Sequence, residues 1–207
     1  MRSMAATGVA LALLVTAGLA GCKASLPPVT ITDAGLGFDI QESIFVDFGP
    51  PNHFVGVLQS NRTGMCDALN AGVDIGELKS TSVLAISLLN LATITAGSPV
   101  VPGTYDILND LSSVPGVGTW SYAYAYTTDA SCNGPLSPPT GIAGSVTLAS
   151  IDRSDGGHAT GSYDITFDTY QRVQNPFDAL YCPYTFVYDA GTADGGADAG
   201  FDAGLCL

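Results

Sequence analysis

The chain contains 207 residues, six of them basic and 19 acidic, and its formal net charge at pH 7 is −13. A charge of this sign and size repels nucleic acid and anionic lipid surfaces, so nucleic acid is not an expected partner. We interpret the acidic residues as a solvated surface, with cation binding as the alternative. The length suits a single all-β domain with one hydrophobic core.

The amino terminus has the three parts of an export signal. Arg2 supplies a positive start, residues 5–20 form an apolar stretch, and small residues follow it. A membrane-spanning helix needs roughly 20 apolar residues without a cleavage site. We therefore expect residues 1–21 to be a signal peptide that is removed on export.

The last residues of this segment, Leu19, Ala20, Gly21 and Cys22, resemble the lipobox of bacterial lipoproteins. The resemblance implies that the Cys22 thiol receives diacylglycerol, that the chain is cut before Cys22, and that the new amine is N-acylated. Two or three acyl chains, at about 0.8 kcal/mol per buried methylene, hold a protein stably on a bilayer. Lys23, in place of an aspartate that signals inner-membrane retention, implies the outer membrane, on its periplasmic or its outer face. The alternative is an ordinary signal peptide, with Cys22 in a disulfide.

The other cysteines are Cys66, Cys132, Cys182 and Cys206, an even number in a chain bound for an oxidising compartment. We expect two disulfides, because there is no CxxC pair and the sequence offers only two histidines for a zinc site. The sequence leaves three connectivities open. Loop-closure entropy favours near neighbours, Cys66 with Cys132 and Cys182 with Cys206, because shorter loops cost less to close.

From residue 38 onward, runs of β-branched and aromatic residues alternate with turn residues, which is typical of short strands. We predict strands at 43–48, 53–60, 82–90, 104–108, 119–128, 144–151 and 161–168. Asp155, Gly156 and Gly157 predict a β-hairpin between the last two, because they accept the positive φ of a tight turn. Residues 65–71 resemble one short helical turn near Cys66. We therefore predict an all-β antiparallel sandwich, with a barrel-like arrangement as the alternative.

The chain divides into a signal peptide at 1–21, a tether at 22–36, a β-domain at 37–188 and a tail at 189–207. The tail repeats aspartate among alanine and glycine, a composition that cannot bury a core. We expect a flexible tail that Cys206 pins to the domain. Calcium binding is the alternative, although the tract matches neither an EF-hand loop nor a calcium-binding nonapeptide repeat.

Residues 120–126 read WSYAYAY, and strand alternation places Trp120, Tyr122, Tyr124 and Tyr126 on one face. Exposed rings of this kind would stack on sugars or on peptide. Buried rings would simply be core. We favour the core interpretation and keep the four rings as the candidate binding face.

We find no catalytic motif in the sequence. Ser145 and Ser162 lie within predicted strands rather than on a nucleophile elbow. His158 follows Asp155 by three residues, close enough for an acid–base pair, but a hairpin loop exposes both. His53 fits a surface or capping role at a strand entrance. We therefore expect no enzyme, no metal site and no cofactor other than the anchoring lipid.

Several segments together resemble small acidic β-rich lipoproteins of unknown function that are common in myxobacteria. The segments are CDALNAG, PGTYDI, DASC, GSVTLASID, GSYDITFD and FDALYC. The likeness as a whole covers most of residues 40–182. The resemblance implies a β-rich fold and no particular activity. We expect a lipid-anchored envelope protein that is a structural, adhesion or ligand-binding module, with a glycan or an envelope protein as partner. The alternatives are an envelope enzyme of an unrecognised class and an accessory subunit of an envelope complex.

Overall fold

Strands make up most of the described chain. The structure is a computed structural model that describes residues 37–49, 53–93, 96–109 and 116–184. The predicted signal peptide, tether and tail, with Cys22 and Cys206, lie outside these residues. The strands are β1 Glu42–Asp47, β2 Phe54–Ser60, β3 Ser82–Thr93, β4 Ala96–Ser98, β5 Gly103–Ile107, β6 Gly118–Thr127, β7 Gly141–Ile151, β8 His158–Phe167 and β9 Arg172–Tyr181. Between β2 and β3 lie a short helix, α1 Met65–Asn70, and a 3₁₀ turn, Ile75–Glu77.

Eight of the strands close into a barrel, in the order β2-β1-β9-β8-β7-β5-β6-β3. The ring closes because β3 also pairs with β2, through seven register pairs from Phe54↔Leu89 to Ser60↔Val83. The prediction of an all-β fold is confirmed, but in its barrel-like form rather than as a sandwich. Alternation along a strand shows only that one face is buried, so it does not distinguish a second sheet from the far wall of a barrel.

Side chains fill the interior of the barrel. Inward residues from all eight strands form one buried cluster, and the rings of Phe45, Tyr105 and Phe167 in it are fully buried. A barrel of eight strands is just wide enough to be filled in this way. The described strands therefore enclose a core of mainly apolar side chains.

The predicted hairpin is confirmed as β7 and β8, which pair from Gly141↔Phe167 to Ile151↔Ala159 around a turn that contains Gly156 at φ 74. The strand predicted at 82–90 is confirmed as the long strand β3. Two strands, β4 and β9, were not predicted. β4 has only three residues and pairs with β3 beyond Phe54, the first residue of β2.

β9 escaped prediction because it contains Asn175 and Pro176, residues that are depleted in strands. Its backbone directions explain why proline is tolerated. The Tyr181 N–H donates to Gly157 on the β8 side, whereas the next N–H, that of Cys182, donates to β1. Because N–H directions alternate along a strand, the backbone N of residue 176 points toward β1. The β1–β9 ladder pairs only Leu180 and Tyr181 of β9 with β1, so β1 offers no partner at position 176. The missing N–H of Pro176 therefore costs no ladder bond.

The segment between β2 and β3 covers one outer side of the barrel. Met65 of α1 packs with the outward residues Ile44 and Val46 of β1 in a second buried cluster. The Met65 N–H also donates to the Glu42 carboxylate at 2.7 Å, which ties the start of α1 to the start of β1. The predicted helical turn near Cys66 is confirmed.

An ion pair helps to close one end of the barrel. Arg153, which follows β7, pairs with Asp47 at the end of β1, and its Nη2 donates to the Val100 carbonyl oxygen at 2.8 Å. At the same end, the buried Tyr105 donates its hydroxyl to the Val101 carbonyl oxygen at 2.6 Å. These bonds satisfy polar groups where the apolar interior meets solvent.

Gly161 of β8 stands where no side chain fits. A Cβ there would lie 2.2 Å from the Thr147 carbonyl oxygen and 2.6 Å from the Phe177 ring. We predict that Gly161→Ala lowers the free energy of unfolding, measured in urea, by about 2 to 3 kcal/mol, because core and strand must shift. Gly103→Ala is the control, since its Cβ meets only the Val101 carbonyl oxygen at 4.0 Å. An equal loss in both variants would contradict the argument.

Candidate functional site

The aromatic residues of β6 point away from the barrel interior. The residues that alternate with them, Ser121, Ala123 and Ala125, are buried and face inward. The four rings, Trp120, Tyr122, Tyr124 and Tyr126, lie on the outer face and are partly buried. The rings are therefore not part of the barrel interior, and on its outer face they are neither fully buried nor fully exposed. Small side chains occupy the inner face of β6 because large rings from other strands already fill the interior.

An outer layer covers the second half of the stripe. Tyr124 packs against the second buried cluster, which contains Met65 of α1. Burial raises the pKa of Tyr124 to about 12, and the nearby Asp74 carboxylate also raises it. The Tyr126 hydroxyl lies close to two glycines. A Cβ added to Gly134 would be 2.2 Å from this hydroxyl, and a Cβ added to Gly76 would be 3.4 Å from it. Tyr124 and Tyr126 therefore serve to attach the outer layer to the barrel.

Trp120 and Tyr122 lie nearer the start of β6. On the outer face, Trp120 is flanked by Leu89 of β3 and by the exposed Asp106 of β5. Its indole Nε1 donates to the Gly116 carbonyl oxygen at 3.1 Å, which fixes the ring. A fixed ring can stack on a flat ligand, and the carboxylate beside it can accept a hydrogen bond from that ligand. These two rings form the part of the predicted binding face that suits a ligand.

Cys66 and Cys182 form a disulfide, with their Cα atoms 5.6 Å apart. The preference for near-neighbour pairing was therefore wrong, since these cysteines are 116 residues apart. Cys182 directly follows β9, which pairs with β1, and Cys66 belongs to the helix that packs on the outside of β1. Closure of the sheet brings the two cysteines together. The free energy gained by pairing the strands outweighs the entropy lost in closing the longer loop.

Cys132 is disulfide-bonded as well. It is buried in the loop between β6 and β7, where its φ is 58. Asp129 holds this loop, because the side chain and backbone of Asn133 and the backbone N–H of Ser131 donate to its carboxylate. The same bonds keep the pKa of Asp129 below its usual value. Cys66 and Cys182 pair with each other, so the partner of Cys132 lies outside the described residues.

The histidines do not form the acid–base pair considered from the sequence. His158 begins β8, and its Nδ1 lies 2.6 Å from Oδ1 of Asp178 on β9, so Asp178 rather than Asp155 contacts it. Both side chains of this pair are exposed. His53 precedes β2 at φ 45, and its N–H donates to the Gly49 carbonyl oxygen at 2.6 Å. In the part of the chain that the structure describes, no group of His, Cys, Asp or Glu could hold a metal ion.

A shallow groove of about 390 Å³ crosses the outer face of β7, β8 and β9. Its lining includes Ser145, Thr147, Ser162, Asp164, Gln174 and Pro176. Sequence reasoning considered Ser145 and Ser162 only as nucleophiles, and both lie within strands as predicted. It missed the groove because β9, which forms one wall, was not predicted. The sequence did contain a signal for a polar outer face here, because polar residues alternate with apolar ones in SVT of β7 and SYD of β8.

Asp164 is held in this groove by three donors from two side chains, Nε and Nη2 of Arg172 and Nε2 of Gln174. The Arg172 Nε donates to its carboxylate at 2.6 Å, and the Gln174 Nε2 donates at 2.7 Å. The bond from Arg172 is the main reason that the pKa of Asp164 falls to about 2, and Gln174 adds to it. The Asp164 and Arg172 side chains are 38% and 60% exposed, so water screens their ion pair and its contribution to stability is small. The pair orients the carboxylate.

We predict that the Asp164 carboxyl titrates near pH 2 when it is followed by its ¹³C chemical shift. Because this pKa lies below the ordinary value of 3.8, the ionised pair contributes its stability above about pH 4 and loses it as the pH falls toward 2. Arg172→Gln should raise the pKa of Asp164 toward 3.8, whereas Arg62→Gln should leave it unchanged. A wild-type midpoint near 4 would show that the pair does not form.

The described residues thus define a closed eight-stranded β-barrel with a helical layer on one side and a polar groove on another. No protein-family model, no curated protein and no solved structure matches the chain. Within the described ranges, no helix is long and apolar enough to cross a membrane. A function has therefore to be argued from the residues themselves.

Proposed function

We propose that the chain is a lipid-anchored protein of the outer membrane whose barrel binds a glycan or an envelope protein on its outer surface. The supporting observation is the filled interior, where side chains such as Phe45, Tyr105 and Phe167 are fully buried. Eight-stranded barrels that carry a small ligand inside keep a cavity for it. Because the interior of this barrel is filled, we infer that a ligand would bind on its outer surface.

The cysteines support the lipid anchor at Cys22. The chain has five cysteines, and the Cys66–Cys182 bond together with the disulfide at Cys132 uses four of them. The remaining thiol is that of Cys22 or of Cys206. Since the resemblance to a lipobox implies a thioether at Cys22, we propose that Cys132 pairs with Cys206. An odd number of cysteines is what one lipidated thiol and two disulfides require.

Strand directions support the aromatic face as the surface turned away from the membrane. β1 is antiparallel to β2, β2 to β3, and β3 to β6, so β6 starts at the end of the barrel opposite the start of β1. In the proposal, the tether at 22–36 leads into the start of β1 and spans up to roughly 50 Å when extended. Trp120, near the start of β6, then lies at the end remote from the anchor.

An envelope protein is the second candidate partner, and two exposed valines at this remote end favour it. Val101 and Val117 are 50% and 64% exposed. Val101 lies two residues before β5 and Val117 one residue before β6, and these strands run parallel and therefore start at the same end. A contiguous exposed apolar patch marks a contact surface between proteins. Together with Trp120, the valines would supply such a contact.

We predict that mass spectrometry of the unreduced, membrane-extracted protein finds a chain that starts at Cys22 and carries diacylglycerol and an N-acyl group. Linked peptides should join Cys66 to Cys182 and Cys132 to Cys206. Cys22→Ala should remove the acyl mass and release the protein from the membrane fraction, whereas Cys206→Ala should leave acylation intact. A peptide that links Cys132 to Cys22 would refute the anchor.

We predict that a Trp120→Ala/Tyr122→Ala variant captures roughly tenfold less envelope glycan or protein in pull-downs from native envelope material, a loss of about 1.4 kcal/mol. Tyr170→Ala is the control, because it removes a ring that is 86% exposed in the turn between β8 and β9. Trp120 is the only tryptophan of the chain, so its fluorescence reports contact directly. Unchanged capture and unchanged emission would exclude this face.

A further inference from the structure

The groove on β7, β8 and β9 is built from two rows of side chains that cross the three strands. The strand registers place Ser145, Asp164 and Gln174 in one row. They place Thr147, Ser162 and Pro176 in the next. Neighbouring strands lie roughly 4.7 to 4.9 Å apart, so each row brings its three side chains within reach of one small ligand.

A concave site on the outside of a barrel needs a structural cause, because the outer surface of a closed sheet is convex. β7 supplies one, since its register with β8 shifts twice, between Gly141 and Ala143 and between Leu148 and Ser150. Such irregularities bend a strand and redirect its side chains. Ser145 and Thr147 lie between the two shifts. The row of Thr147, Ser162 and Pro176 is made of short side chains, which leaves the depression open.

The polar groups of the groove are ordered before any ligand arrives. Arg172 and Gln174 donate three hydrogen bonds to the Asp164 carboxylate, which has about four acceptor positions, so about one position remains for a ligand. The serine and threonine hydroxyls can donate or accept. The charge of Arg172 balances that of Asp164, so the site favours neither an anion nor a cation. Its chemistry therefore suits a neutral ligand with many hydroxyl groups.

We propose that this groove binds a neutral saccharide, with Asp164, Gln174 and the hydroxyls of Ser145, Thr147 and Ser162 as its hydrogen-bonding partners. The proposal rests on the proposed function, in which the barrel binds its ligand on its outer surface. It adds a saccharide site on β7, β8 and β9 that is separate from the aromatic face of β6. The groove, at about 390 Å³, lies near the lower end of the roughly 300 to 1,000 Å³ that small-molecule sites occupy.

The test is calorimetric titration of the purified chain with four neutral probes: cellohexaose, chitohexaose, maltohexaose and laminarihexaose. The key variant is Ser162→Trp, which fills the centre of the groove from an exposed position. The matched control is Thr160→Trp, on the same strand and face but outside the lining. We expect the wild type and Thr160→Trp to bind at least one probe equally, and Ser162→Trp to bind it at least about tenfold more weakly.

Gln174→Ala is the second variant if Ser162→Trp does not fold. It removes an exposed amide that holds Asp164, and it should weaken the same probe severalfold while far-UV circular dichroism stays unchanged. Binding of no probe by the wild type would overturn the saccharide proposal. So would equal binding by the wild type and the folded groove variants. Loss confined to the Trp120→Ala/Tyr122→Ala variant would overturn the groove but leave the proposed function standing, and acylation at Cys22 tests the anchor separately.

Discussion

The barrel depends on the seam between β1 and β9, which lie near the two ends of the described chain. The seam is short: it consists of the register pairs Ile44↔Leu180 and Phe45↔Tyr181, extended by the Cys182 N–H, which donates to the Phe45 carbonyl oxygen at 2.8 Å. Loop-closure entropy opposes a contact between such distant residues. The Cys66–Cys182 disulfide beside the seam reduces that cost by constraining the unfolded chain. An open seam would leave two sheet edges unpaired.

Closure of the sheet also decides where recognition can occur. Once β3 pairs with β2, large inward rings occupy the interior, and β6 contributes only Ser121, Ala123 and Ala125 to it. The outer surface then divides into two sides. α1 and the 3₁₀ turn cover β1, β2 and β3, whereas β7, β8 and β9 present short polar side chains and the groove to solvent. β6 lies at the border, so its rings are only partly covered.

Local patterns predicted the parts of this fold that depend on neighbours in sequence. The hairpin of β7 and β8 followed from a turn with Gly156 between two alternating segments, and the helical turn near Cys66 was read correctly. β9 was missed because Asn175 and Pro176 are poor strand residues, and only its place beside the short seam makes proline acceptable. The groove was missed with it, since three strands must align before its two rows exist.

The sequence by itself determined the all-β character, the alternation of each strand and the resemblance of Cys22 to a lipobox cysteine, because these depend on residue type and spacing of two to four positions. The tertiary structure alone decided that the sheet closes, that Cys66 pairs with Cys182, and that the β6 rings face outward. Each of these depends on contacts across distant segments. A period of two tells which residues share a face, but whether that face lines the interior depends on the volume that all the other strands fill.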